Sequence, residues 1–82
     1  MEFAQRAEDL RKAGKIEDSI ALYTKSIELD PISSLAYFGR SLAYKAKSDW
    51  ERVAKDLSKA SELKSDMVVF YYNRSEAYSM LG

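Results

Sequence analysis

The chain has 82 residues, 46% hydrophobic and 32% charged, with 13 basic and 13 acidic side chains and therefore no net charge. That is the make-up of one small globular domain, and the charge balance argues against a nucleic-acid surface, which would carry surplus Lys and Arg. Cysteine and histidine are absent, which removes disulfides, thiolate metal sites, a thiol nucleophile and the side chain on which most acid–base chemistry near neutral pH depends.

Residues 2–13 are expected to form a first helix, because Phe3, Ala7 and Leu10 fall at i, i+4 and i+7. No Ser, Thr, Asp or Asn stands at its start, so fraying is expected there. Gly14 closes it, being free to take the left-handed conformation that ends helices. A second helix spans about 16–29, with Ile16, Ile20, Tyr23, Ile27 and Leu29 as its expected apolar stripe and Glu17 and Asp18 at the positive end of its dipole. Asp30-Pro31 stops it, and Ser33 or Ser34 offers the next cap.

The third helix, about 34–46, is apolar around more than one face, with Leu35, Tyr37, Phe38, Leu42, Ala43 and Tyr44. Ser48-Asp49-Trp50-Glu51 then reads as a capping box opening a fourth helix over about 49–63. Trp50, Val53, Ala54, Leu57, Ala60 and Leu63 form the inner face of that helix. Ser65 or Asp66 is the expected cap of a fifth helix over about 67–81. Its opening run MVVFYY has strand-like propensity, but it has no strand to pair with elsewhere in the chain. Glu8, Glu17, Asp18, Glu51, Asp56 and Glu62 are interleaved with Lys and Arg and are expected on solvated helix faces, which leaves no constellation for catalysis. No apolar run reaches the roughly 20 residues of a membrane span, and the charged start MEFAQRAEDLRK is not a secretory signal. Cytoplasmic residence is the default expectation. No cofactor and no metal is expected.

A word recurs along this chain. LAYFGRSLAY at 35–44 returns as VFYYNRSEAY at 69–78, and more faintly as MEFAQRAEDL at 1–10. Phe3, Tyr37 and Tyr71 align, as do Arg6, Arg40 and Arg74; Ala7, Ser41 and Ser75; and Leu10, Tyr44 and Tyr78. A fixed period of this length marks a repeat architecture, whose units must stack to bury their apolar faces. The three arginines are expected to be structural, with stems between repeats and heads at carboxylates such as Asp9 and Glu76. The aligned tyrosines and small residues are expected to hold the stack together, and Tyr23 and Trp50 to lie in the core.

The alternating short helices, the period and the residue types resemble the tetratricopeptide-repeat family. Phe3, Ala7, Leu10, Gly14, Tyr23 and Pro31 supply its pattern in the first unit. Tyr37, Ser41, Tyr44, Trp50, Leu57 and Ala60 supply it in the second, and Tyr71, Ser75, Tyr78 and Gly82 in the third. Ser19 and Ser26 stand where the family has Ala, Val53 where another Ala is usual, and Ser65 where a second Pro would be. An unrelated five-helix bundle is the alternative. The resemblance implies an all-α, right-handed stack of antiparallel helix pairs, with units at about 1–33 and 34–67 and a partial third at about 68–82. It also implies a concave groove that holds a peptide or a partner's helix, so that the chain is an interaction module or adaptor and not an enzyme.

Carried onto this chain, the family's groove positions are Ala4 and Glu8 from the first helix; Leu35, Phe38, Gly39, Leu42 and Lys45 from the third; and Val69, Tyr72, Asn73, Glu76 and Met80 from the fifth. Phe38 and Leu42 are surplus to the core stripe, and apolar side chains that a core does not claim are the informative ones. One subset of the family grips the acidic C-termini of heat-shock chaperones with a Lys, Asn and Arg clamp, since a carboxylate takes several charge-assisted donors at once. Ala4, Glu8, Gly39, Val69 and Asn73 occupy those sites here, so that clamp is not expected. Self-association is the competing expectation. The fifth helix is apolar around most of its circumference, and Val68, Phe70, Met80 and Leu81 are the residues expected to meet a second copy, unless the chain is a fragment whose remainder covers them.

Overall fold

The computed structural model describes residues 2–82. Five α-helices account for the secondary structure of the described residues: α1 (Glu2–Lys12), α2 (Ile16–Leu29), α3 (Ser34–Ala46), α4 (Trp50–Leu63) and α5 (Val68–Leu81). Each lies close to the span its periodicity predicts, and MVVFYY runs into a helix. Met1, and with it the question of a cap for α1, lies outside the described residues.

Each helix packs on the next, and α1 also touches α3, giving a slab of 32 × 24 × 17 Å. The seams are built of small residues. Ala7, Ser19, Ser26, Ala36, Ser41, Ala43, Ala54, Ala60, Ser61 and Ala77 are all buried, and such side chains let helix axes approach closely. Tyr37, Val53, Leu57 and Phe70 fill what remains, with Ile27, Phe38, Tyr44, Trp50, Leu63 and Met67 half-buried around them. Ser19, where an alanine would serve, leaves its buried hydroxyl without a partner among the described residues. An unpaired buried hydroxyl costs about 1–3 kcal/mol.

The turns repeat as the helices do. Gly14, Ser48 and Gly82, evenly spaced along the chain, all have positive φ, at 84°, 57° and 92°. Ser48 is therefore part of the turn, not the cap of α4. Asp49 is the cap, accepting from the Arg52 N–H at 3.4 Å and from the Arg52 guanidinium at 2.7 Å. The expected capping box is displaced by one position because Ser48 is spent on the left-handed turn. Ser33 caps α3, its Oγ accepting from the Ala36 N–H at 3.3 Å. The equivalent residue before α5 is Met67, in the same extended backbone conformation but with no side chain able to accept. Neither Ser65 nor Asp66 takes the cap, because both precede the extended residue from which the helix springs.

Asp56 is not on a solvated face. It is buried beneath Arg40, whose Nε and Nη2 donate to its two carboxylate oxygens, each at 2.8 Å. Such a bidentate pair is among the stronger polar contacts available to a helix seam. It raises the guanidinium pKa still further above its ordinary value, chiefly through the hydrogen bond to Asp56. The carboxylates suggested for the arginines are engaged elsewhere: Asp9 accepts from Gln5 at 3.2 Å, and Glu76 pairs with Lys45 at 2.8 Å.

Candidate functional site

Two helices and one intruding side chain make a cleft. From α3, Leu35, Phe38, Gly39 and Leu42 fall at i, i+3, i+4 and i+7 and so share one helix face. From α1, Ala4, Gln5, Arg6, Glu8 and Arg11 form the opposite wall. α2 sends Tyr23 up between them as the floor. The space between the walls, open to solvent, is about 700 Å³, the size class of pockets that hold small ligands. Leu35 is 65% exposed at the mouth, and Phe38 and Leu42 are half-buried along the wall.

Gly39 belongs to this cleft as a seat for Tyr23, not as an open groove position. A Cβ there would stand 2.5 Å from Cζ and 2.7 Å from the hydroxyl of Tyr23. The missing side chain is what lets the ring lie against α3. Burial pushes the Tyr23 hydroxyl above its ordinary pKa, and the nearby positive charge of Arg11 pulls the other way. Arg11 itself lies 3.9 Å from Glu8, and its Nε is buried with no acceptor among the described residues. The cleft thus has an apolar wall from α3, a polar wall from α1 and an unfilled donor at one end.

The groove residues expected further along do not line this cleft. Lys45 and Glu76 form an ion pair that ties α3 to α5. Asn73 donates from Nδ2 to the Val69 carbonyl at 2.8 Å, within its own helix. Val69, Tyr72 and Met80 are exposed on α5. Phe38 stands at the divide. One side of it lines the cleft, and its ring packs on Phe70 with centroids 5.2 Å apart and planes tilted by 46°. The groove positions expected from the resemblance are therefore split in two by a core contact. Ala4 and Glu8 line the cleft, and so do Gln5, Arg6, Arg11 and Tyr23, which the sequence did not single out for it. No local pattern marks them: a tyrosine in helical phase reads as core, and only the approach of α2 to α3 brings it here.

Of the residues expected to meet a second copy, Val68, Met80 and Leu81 are exposed. Phe70 is 0% exposed and cannot serve, because in the recurring word it aligns with Ala36, at a position the seam buries. The aligned stack residues depart in the opposite sense. Tyr37 and Ser41 are buried, whereas Tyr71, Ser75 and Tyr78 are exposed, because α4 covers that face of α3 and no described helix covers it on α5. Among the described residues no cluster of acidic side chains could hold a metal ion, and no helix is long and apolar enough to cross a membrane.

No protein-family model matches the chain. It is similar to a segment of human serine/threonine-protein phosphatase 5, with 33% identity over 81 residues, covering 99% of this chain and 16% of that protein. It is 36% identical over 75 residues to the human mitochondrial import receptor subunit TOM70, covering 85% of this chain and 12% of the relative. Hsc70-interacting protein 1 of Drosophila melanogaster is 37% identical over 68 residues, which is 83% of this chain and 18% of that protein. The chain spans less than a fifth of the length of each.

Proposed function

We propose that this chain is a tetratricopeptide-repeat domain, with units at about 1–33, 34–67 and 68–82, and that it is a protein-interaction module whose α1–α3 cleft holds an apolar or amphipathic segment of a partner protein. The observation that carries this reading is the apolar wall of Leu35, Phe38 and Leu42 facing about 700 Å³ of open space. Burying such a wall under a ligand gains about 25 cal/mol per Å² of apolar surface. The similarity to segments of an import receptor subunit and of a protein named for its interaction with Hsc70 supports a binding role, and makes Hsc70 the first partner to test. The α3 wall's chemistry favours an apolar stretch: Ala4 and Glu8 offer a carboxylate nothing and Tyr23 covers Gly39, which leaves Arg6 and Arg11 on the α1 wall to meet any acidic group of an amphipathic segment. Catalysis is not part of this reading.

The test separates the cleft from the core. Phe38 is a poor probe because it also packs on Phe70, so the informative variant is Leu35→Asp combined with Leu42→Ala. Titration of Hsc70 by calorimetry is expected to give binding to the wild-type chain and at least a tenfold loss for the variant, about 1.4 kcal/mol or more. Leu35→Asp alone should leave helicity and melting unchanged. Undiminished binding by the double variant would remove the cleft from the account.

A further inference from the structure

A second hollow, of about 350 Å³, lies on the side of α3 turned away from the cleft. With about 100° between successive residues of a helix, Tyr37, Arg40 and Tyr44 stand opposite Leu35, Phe38 and Leu42. Those first three line the hollow from α3, and α4 completes it with Arg52, Lys55, Asp56 and Lys59. Nothing from α5 takes part. The one carboxylate of the lining is already spent: Asp56 is buried, with both oxygens held by Arg40 at 2.8 Å, while Nη1 of Arg40 donates to Thr24 Oγ1 at 3.2 Å. Arg52, Lys55 and Lys59 are exposed around it. Arg52 pairs with Asp49 at 2.7 Å and Lys59 lies 3.9 Å from Glu62, each across a single turn, while Lys55 has no ion-pair partner among the described residues. Both Arg40 and Arg52 lie over the Tyr44 ring, at 5.9 and 5.8 Å from its centroid.

We propose that this hollow binds a phosphate-type dianion, carried by a free phosphate or by a phosphorylated side chain. Four cations face one neutralised carboxylate here, in a chain whose charges otherwise balance. Their arrangement costs stability. Arg52, Lys55 and Lys59 fall at i, i+3 and i+7 along α4, and like charges so spaced repel one another. The repeat does not impose it. One period earlier the same positions hold Asp18, Ala21 and Lys25, and Phe3 and Leu10 stand where the second unit has Tyr37 and Tyr44. The hollow of the second unit has thus gained two ammonium groups or guanidinia and two phenol hydroxyls over its counterpart. A phosphate monoester carries a charge of about −1.5 to −2 near neutral pH and three acceptor oxygens, enough to engage donors from both helices at once. A single carboxylate would leave most of these cations unmatched. The surface pairs of Arg52 and Lys59 are of the weak, exposed kind and yield readily to such a ligand. The hollow shares no residue with the α1–α3 cleft, so the inference stands apart from the function assigned there.

The probes are inorganic phosphate and a short phosphoserine peptide flanked by glycine and blocked at both ends. Each is titrated into the full chain at neutral pH and constant ionic strength, and followed by NMR. Saturable shifts with a millimolar midpoint are expected, centred on Tyr44, Arg52, Lys55 and Lys59. Lys55→Gln should weaken binding about fivefold, the scale of one lost charge-assisted hydrogen bond, and Lys55→Glu should abolish it. Gln matches Lys closely in helix propensity, and far-ultraviolet spectra check that both variants keep their helices. Lys15→Gln removes the same charge at the exposed α1–α2 turn and should leave the midpoint unchanged. Tighter binding of the peptide than of phosphate assigns the dianion to a phosphorylated side chain, and equal or weaker binding assigns it to a free phosphate; either supports the site. Shifts that never saturate, that chloride reproduces, or that centre on the α1–α3 cleft would overturn the proposal, as would an equal loss from Lys15→Gln.

Discussion

An alanine at position 39 would set two effects of similar size against each other. Within a helix, Ala is better than Gly by about 1 kcal/mol. Here its Cβ would press on the ring of Tyr23, 2.5 Å from Cζ, and overpacking of this kind costs about 1–3 kcal/mol. Gly39→Ala should therefore destabilise the chain by about 1 kcal/mol net, with the ring driven into the cleft. In a Tyr23→Leu background the clash is gone, and the same change should stabilise by about 1 kcal/mol. Urea melts of the four proteins check the reversal of sign; without it, the two residues are not in the contact described. Their contact was not legible from the residues alone. Tyr23 reads as core, and at 3% exposure it is buried; position 39 reads as an empty groove site. Both readings follow from phase along a helix, whereas the meeting of the two residues depends on how close α2 comes to α3. Phe38 and Leu42, by contrast, stood out as apolar residues surplus to a stripe, and the cleft has them in its wall.

At the scale of the element, the turn after α3 takes a left-handed residue where its two counterparts are glycine. A non-glycine residue held there is strained by roughly 1–2 kcal/mol, partly offset by the greater freedom glycine has in the unfolded chain. Ser48 is exposed and caps nothing, so Ser48→Gly should raise stability by about 0.5–1 kcal/mol, read as a higher midpoint in denaturant at unchanged slope. A loss of stability would show that the hydroxyl has a partner. The helix spans were legible because each apolar stripe is continuous and each break is marked. The caps were less so. Ser48-Asp49 offers two adjacent acceptors, and local chemistry does not choose between them; the repeat spacing from Gly14 does, by claiming position 48 for the turn. At Met67 the spacing points to a cap and the side chain cannot supply one.

Across the whole molecule, packing is uneven. α3 has neighbours in α1, α2 and α4, and α4 lies between α3 and α5, while α5 rests on α4 and meets α3 through Phe38–Phe70 and Lys45–Glu76. Helices with fewer buried contacts open at lower free energy than the rest. Native-state hydrogen exchange should find the slowest amides in α3 and α4, with those of α5 exchanging about tenfold faster or more; equal protection would mean that α5 opens only with the whole chain. The repeat made the stacking legible, yet it gave no sign that the third set of aligned tyrosines is exposed, since exposure depends on what lies opposite and not on the word itself. The position of Phe38, against solvent on one side and Phe70 on the other, limits how such a domain can be re-aimed at a new ligand. A library meant to change what the cleft accepts should vary Leu35, Leu42 and Gln5 and leave Phe38 alone, because diversity at that one site would be screened first for folding and only then for recognition.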